Sequence, residues 1–252
     1  MAWQTPKTNR SAADGVRDTD MNRIEGNILH IYTTDAVRSP LVVYVSTTGN
    51  DATGTGTQAA PYNTITKALS VIPKNLNGMS VSINIAAGTY DELVDISHFY
   101  GGTISLTGMS NAAVTISGLS VLNSACTVSN ILLTVNSSGT TGITIGNGAY
   151  VIFEAPITAQ AVVYGIQCHS GGILVAQQSV TSNSSSVAVR VATQGRVHIG
   201  TLAGTGSKQL FEADSGGQIS YGACTHTGHS TLFGTRNGGR IYTGAQTSPA
   251  IY

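Results

Sequence analysis

Gly142-Ile-Thr-Ile-Gly-Asn-Gly-Ala149-Tyr-Val151-Ile152 is the first of five segments that superimpose, the others starting at Gly165, Ala188, Leu210 and Leu232. The starts lie roughly 22 to 23 residues apart, a period that signals a stack of repeats. Position two is always apolar (Ile143, Ile166, Val189, Phe211, Phe233). Position eight is always small (Ala149, Gly172, Gly195, Gly217, Gly239), and position ten always aliphatic (Val151, Leu174, Val197, Ile219, Ile241). Two short strands meeting at a small-residue corner, then a polar return rich in Gly, Ser and Thr, satisfy that pattern. Stacked copies pair strand on strand about 4.8 Å apart and bury one inward row per strand. The reading is an all-β, parallel β-helix, which carries function on its sides and tip rather than in one deep cleft.

Upstream, Met79–Ile85 alternates apolar and polar residues, and Thr103–Gly108, Val114–Gly118 and Ile131–Val135 are further short strands stopped by Gly, Asn or Ser. Residues 79–252 therefore make about seven to eight coils. Residues 41–78 read as an opening module. It has a strand at Leu41–Val45, a polar loop from Ser46 to Ala60, and a helix near 63–72 that Pro73 stops. Ile65, Leu69 and Ile72 share one face of that helix, which is expected to lie over the first coil and shield its open edge. Residues 1–40 differ from the rest. Met21, Ile24, Ile28 and Ile31 form a narrow apolar stripe, the spacing of a helix–helix seam, with Gly26 inside it. So polar a segment builds no core of its own. It is expected to dock on copies of itself and on a partner protein.

Charged residues make up 10% of the chain, against about 25% in an average soluble protein. The formal net charge is zero, which gives no broad attraction to nucleic acid or anionic membrane. Ten of the 24 charges fall in residues 1–38, and between His98 and Val189 only Glu154 is charged. That neutral stretch implies a hydroxyl-rich skin partly covered by another subunit. Cys126, Cys168 and Cys224 are isolated and read as buried, reduced thiols, with no zinc-type spacing. No run of about 18 apolar residues predicts a membrane span. Met1–Lys7 lacks the apolar core of a secretory signal, so synthesis in a cytoplasm without export by that route is expected.

Few residues offer chemistry. Asp91, Glu92 and Asp95 are grouped near the first coil and read as a solvated corner. In the repeat register Arg190 and Glu212 share position three, and Asp214 and Arg236 share position five, so each acid gains a cation one rung away as a structural ion pair. His226 and His229 lie in a return with no third ligand, and neither a metal nor a cofactor is expected. Arg196 and Arg240 share position nine two coils apart, with Lys208 near in sequence, and form a weak basic strip suited to phosphate groups of a wall polymer. Position eleven runs Ile152, Val175, His198, Ser220, Tyr242. Its apolar start suggests a three-fold interface around Ile152 and Val175. Tyr221, Phe233, Tyr242 and Tyr252 supply aromatic faces toward the later end, suited to stacking on sugar rings.

Two resemblances extend this reading. Tyr44-Val-Ser with Gly49-Asn-Asp51, Pro61-Tyr-Asn-Thr-Ile-Thr-Lys-Ala-Leu69 and Ile83-Asn-Ile-Ala-Ala-Gly-Thr-Tyr-Asp-Glu-Leu-Val94 resemble the first coils of the pectin-lyase-like β-helix superfamily. That resemblance covers about residues 41–252 and implies right-handed coils. Motifs expected of a methylesterase on this scaffold (Gln-Asp, Asp-Phe, Arg-Pro-Trp) do not occur. Thr5-Pro-Lys-Thr-Asn9 followed by Asp18-Thr-Asp20-Met-Asn-Arg-Ile-Glu-Gly-Asn-Ile28 is similar to N-terminal attachment segments of tail fibres and appendages from phages and prophages of Gram-positive bacteria. The usual pattern has Trp where this chain has Arg10. The second resemblance implies a homotrimer on a virion tail or baseplate, docked through its N-terminal segment and touching the host surface. The resulting expectation is a non-catalytic appendage that binds a host-surface glycan or wall polymer. The alternatives are a polysaccharide depolymerase with an intersubunit site and a plain structural spacer.

Overall fold

The computed structural model describes residues 21–25, 27, 36–161, 163–184, 186–205, 208–227 and 231–243. Sixteen strands join one continuous parallel network. They are β1 (Leu41–Val45), β2 (Ser80–Ile85), β3 (Gly88–Ser97), β4 (Thr103–Leu122), β5 (Ala125–Asn136), β6 (Thr141–Gly146), β7 (Tyr150–Phe153) and β8 (Ile157–Ala161). The series continues with β9 (Tyr164–Cys168), β10 (Ile173–Ser184), β11 (Val187–Val191), β12 (Arg196–Thr205), β13 (Gln209–Ala213), β14 (Gln218–Thr227), β15 (Thr231–Thr235) and β16 (Arg240–Thr243).

The ladder pairs sort these strands into three faces. Face A stacks β1, β2, the starts of β4 and β5, β7, the starts of β10, β12 and β14, and β16. Face B stacks the start of β3, the middle of β4, the end of β5, β8 and the ends of β10, β12 and β14. Face C stacks the ends of β3 and β4, then β6, β9, β11, β13 and β15. The seven strands of face C close seven coils, so the chain is a parallel β-solenoid of about seven turns.

The repeat register is the one the sequence implies. Val151, Leu174, Val197, Ile219 and Ile241 are successive partners on face A, and Ile143, Ile166, Val189, Phe211 and Phe233 on face C. Alternation along each strand sends these inward, where most are fully buried in one continuous core. The expected polar return proves to be a third strand. Its inward residues are Ile157, Val180 and Leu202, with Ser182 and Ser184 also buried. Those two hydroxyls donate to the Ala188 and Val187 carbonyls at 3.0 and 2.5 Å, which is how serine is tolerated in the core. Polar outward neighbours hid this strand in the sequence.

The small residue at position eight follows a corner in which two consecutive residues are left-handed. Asn147–Gly148 has φ of 52° and 73°, and Ser215–Gly216 has 49° and 78°. A Cβ on Gly217 would stand 2.4 Å from the Val191 carbonyl oxygen of the rung below, so the chain turns there only with almost nothing on the inside. Thr193–Gln194 makes the same corner without glycine (φ 49° and 63°).

The opening helix α1 spans Ile65–Ser70, shorter than 63–72, because Thr64 is its N-cap and accepts from the Lys67 amide. Ile65, Ala68, Leu69 and Ile72 are buried, and the helix packs against β1, β2 and β3. Upstream, the Val37 amide donates to the Asn75 carbonyl at 2.9 Å, so the chain is already bound to the first coil there. Residues 21–25 are helical, with Met21 and Ile24 nearly half exposed (47% and 46%), while Ile28 and Ile31 lie outside the described residues. Among the described residues no helix is long and apolar enough to cross a membrane.

Replacing Gly217 with Ala should lower the melting temperature, at a cost of about 1–3 kcal/mol from overpacking against backbone. Replacing Gln194 with Gly should raise stability by roughly 0.5–1 kcal/mol, since the left-handed strain outweighs the added chain entropy. Chemical denaturation measures both, and a loss of stability in the second variant would refute the strain assignment.

Candidate functional site

The acids near the first coil hold structure together. Asp51 accepts from the Asn63 and Thr64 amides at 2.7 and 3.1 Å and from the Thr64 hydroxyl at 2.7 Å. Burial tends to raise its carboxyl, but these bonds, with nearby Lys67, win and hold it below the usual value. Glu92 accepts from the Ile65 and Thr66 amides at 2.7 and 2.8 Å, and from the Thr66 hydroxyl, so it caps the start of α1 from a neighbouring strand. Asp91 takes the Ser117 hydroxyl at 2.6 Å, and Asp95 that of Ser97 at 3.0 Å. Of the three acids expected to form a solvated corner, Asp91 and Asp95 are exposed, whereas Glu92, with Asp51, forms the clamp between helix and solenoid. Sequence spacing did not reveal it, because Glu92 and α1 are 26 residues apart.

On face C, Arg190 and Glu212 are cross-rung partners, as the register required, with Nε 3.4 Å from Oε1. The second expected pair is corrected. Asp214 faces Arg190 Nη2 at 3.6 Å and accepts from Asn237 Nδ2 at 2.9 Å, rather than pairing with Arg236. Asp214 and Arg236 do share a position, but Arg190 reaches across from the neighbouring row. The Asn237 hydrogen bond is the main cause of the depressed Asp214 carboxyl, with Ser215 and Arg190 adding to it. Arg190 also lies 5.3 Å from the centre of the Tyr164 ring. One guanidinium thus holds both carboxylates, and Glu212 is largely buried.

Face A is zoned along its length. Its first strand presents Val42 and Tyr44, and the next rungs show mainly hydroxyls and amides, with Ser82 donating to Asn84 at 2.8 Å. Tyr150 and Ile152 on β7 pair with Ile173 and Val175 on β10, which makes a partly exposed apolar square. On the next rungs Arg196, Gln218 and Arg240 form one outward file, and His198, Ser220 and Tyr242 the other. His198 Nδ1 is 2.8 Å from Ser220 Oγ. Arg196, His198 and Arg240 are exposed, and Gln218, Ser220 and Tyr242 half-buried.

The structure therefore brings Arg196, Arg240 and Tyr242 together and removes Tyr221 from the set. Tyr221 points into the core, its ring stacked on Phe211 at 4.7 Å and on Phe233 at 5.8 Å between centroids. Burial, with Cys224 nearby, raises its hydroxyl pKa. It occupies position twelve, and the period-two alternation turns that position inward. Lys208 is exposed beside β13. His229 and Tyr252 fall outside the described residues. Cys126 and Cys168 are buried thiols pushed up to about 12 by that burial, whereas Cys224 is only partly buried. Among the described residues no cluster of His, Cys, Asp and Glu fits a metal ion. Sequence inspection also missed a file of Thr89, Thr115, Thr134, Thr158, Thr181 and Thr225 on face B, interrupted by Ala203. Comparing the returns at the repeat offset would have shown it.

The model of a family described as a protein of unknown function, DUF1565, matches residues 47–97. That stretch contains the loop after β1, the helix α1, and strands β2 and β3. No curated protein and no solved structure matches the chain. The ladder geometry defines the protein as a parallel β-solenoid, and the match to its opening coil supports a pectin-lyase-like fold.

Glu92→Ala should cost about 1 kcal/mol, the value of a lost helix cap, and loosen α1 without unfolding the later coils. Hydrogen exchange resolved by segment checks it. Because the Asp51 carboxyl is depressed in the folded chain, its contribution is complete above the unfolded value of 3.8 and is lost as pH falls through the lower folded value. Asp51→Asn should therefore destabilise the protein at neutral pH and converge with wild type in strong acid. Arg190→Gln should cost about 1–3 kcal/mol, since it strands the largely buried Glu212.

Proposed function

We propose that this solenoid is a non-catalytic appendage of a phage tail-type particle that attaches to the host surface. The N-terminal segment carries it on a tail or baseplate protein. Three copies pack around the Tyr150–Ile152–Ile173–Val175 square, and the C-terminal end of face A meets a surface glycan or wall polymer. The observation that carries this reading is the zoning of face A, where an apolar square adjoins a cationic, hydroxyl-bearing end on consecutive rungs. A solvent-facing apolar square is best explained by a covering partner. The half-exposed Met21 and Ile24 support a second point of association at the N-terminal end. Three of the acids are otherwise engaged, Glu212 and Asp214 by Arg190 and Glu92 by the helix. The attachment reading therefore ranks above a depolymerase.

Light scattering should give a mass near three times 25.9 kDa. Ile152→Asp should reduce it to a monomer with an unchanged circular-dichroism spectrum, since that side chain points away from the core. A monomeric wild type would overturn the interface. Pull-down on purified Gram-positive cell walls should retain the protein without release of soluble saccharide. Steady saccharide release would instead establish the depolymerase.

A further inference from the structure

We propose that Asn237 is a site of spontaneous deamidation, and that its conversion to a carboxylate loosens the coil that contains β15 and β16. This goes beyond the attachment reading and does not depend on it. An Asn-Gly pair is prone to this reaction because glycine leaves the following amide nitrogen unhindered. The chain holds three such pairs, Asn77–Gly78, Asn147–Gly148 and Asn237–Gly238. All three are exposed corners with both residues left-handed, at φ of 51° and 79°, 52° and 73°, and 47° and 80°. Local sequence and corner geometry therefore do not separate them, whereas the bonds between rungs do.

In the reaction the Gly238 nitrogen attacks the Asn237 Cγ. A new C–N bond closes a five-membered imide, and the side-chain nitrogen leaves as ammonia, taking up the proton that the Gly238 amide gives. Water then opens the ring at either carbonyl and leaves aspartate or isoaspartate. The nucleophile is the glycine amide, and at the first two corners it is already engaged. The Gly78 amide donates to the Gly101 carbonyl, and the Gly148 amide to the Ser170 carbonyl at 3.0 Å. The same tie runs from Gly171 to Thr193 and from Gln194 to Ser215. It lapses at the last of these corners. Among the described residues the Gly216 amide does not reach the Asn237 carbonyl, and the Gly238 amide has no carbonyl partner. Asn237 is held instead by its side chain, whose Nδ2 donates to Asp214 Oδ1 at 2.9 Å, and that nitrogen is the one the reaction removes. With fewer ties to break, this corner opens locally at lower cost than the other two. The product places a carboxylate opposite Asp214 where a donor stood, so attraction becomes repulsion. Isoaspartate also adds one carbon to the main chain inside a corner that sets the register.

The test keeps the full chain in warm, mildly alkaline buffer and follows each Asn-Gly peptide by mass spectrometry, beside a sample unfolded in urea. In the folded chain Asn237 should convert at least about fivefold faster than Asn77 or Asn147, the worth of one retained hydrogen bond. In urea the three rates should draw together, because the corners are gone. Conversion at Asn77 or Asn147 as fast as at Asn237 in the folded chain, or the same spread of rates in urea, would overturn the assignment. The Asn237→Asp variant reads the consequence. Its hydrogen exchange should quicken across residues 231–243 and stay unchanged in the coils before β9. Unchanged exchange across 231–243, or faster exchange along the whole solenoid, would overturn the local loosening.

Discussion

Everything in this molecule depends on keeping one register from rung to rung. Parallel ladders alone permit a slip of one residue, which would turn each inward row outward. The corner between faces C and A prevents it. In the repeat coils, two left-handed residues followed by a Gly or Ala set close against the preceding rung can sit at only one place. Register fixed there propagates along the strand, so one geometric constraint aligns the aliphatic core and the outward files together. The aromatic stack of Phe211, Tyr221 and Phe233 is a product of that alignment, as is the reach of Arg190 to two carboxylates.

The same constraint explains how so few charges are used. With 10% charged residues, surface polarity comes mainly from hydroxyls and amides, which can stack on themselves at rung spacing without repulsion. Like charges in one file repel, and four of the acids lie where a cation or a helix terminus answers them. Asp51 and Glu92 fasten α1 to the first coil, and Arg190 neutralises Glu212 and Asp214. Arg196 and Arg240 depart from this economy. They share a file, with a neutral residue between them to relieve repulsion, and face solvent. That departure directs the functional reading to the later end of face A.

An elongated solenoid also separates tasks along its axis in a way a globular domain does not. Its opening coil is shielded by α1, its middle carries the apolar square, and its later coils carry the cationic files. Because each coil contacts chiefly its neighbours, a change at one end leaves the other folded. Association and ligand binding can therefore vary independently on one scaffold.

The sequence by itself determined the period, the inward rows and the outward company of Arg196 with Arg240, because all three follow from position within a repeat. It also placed the pairing of Arg190 with Glu212, since stacked equivalents are neighbours by construction. Whatever depends on a side chain leaving its own file was decided only by the tertiary structure. Asp214 went to Arg190 rather than Arg236, and Glu92 reached the helix terminus. The third strand of each coil was equally hidden. Its pattern of Ile157, Val180 and Leu202 is diluted by inward serines, which become legible as core residues once the carbonyls they bond are in place. Repetition writes nearest-neighbour geometry into the sequence, whereas contacts across corners and between unlike elements arise only when the coils close.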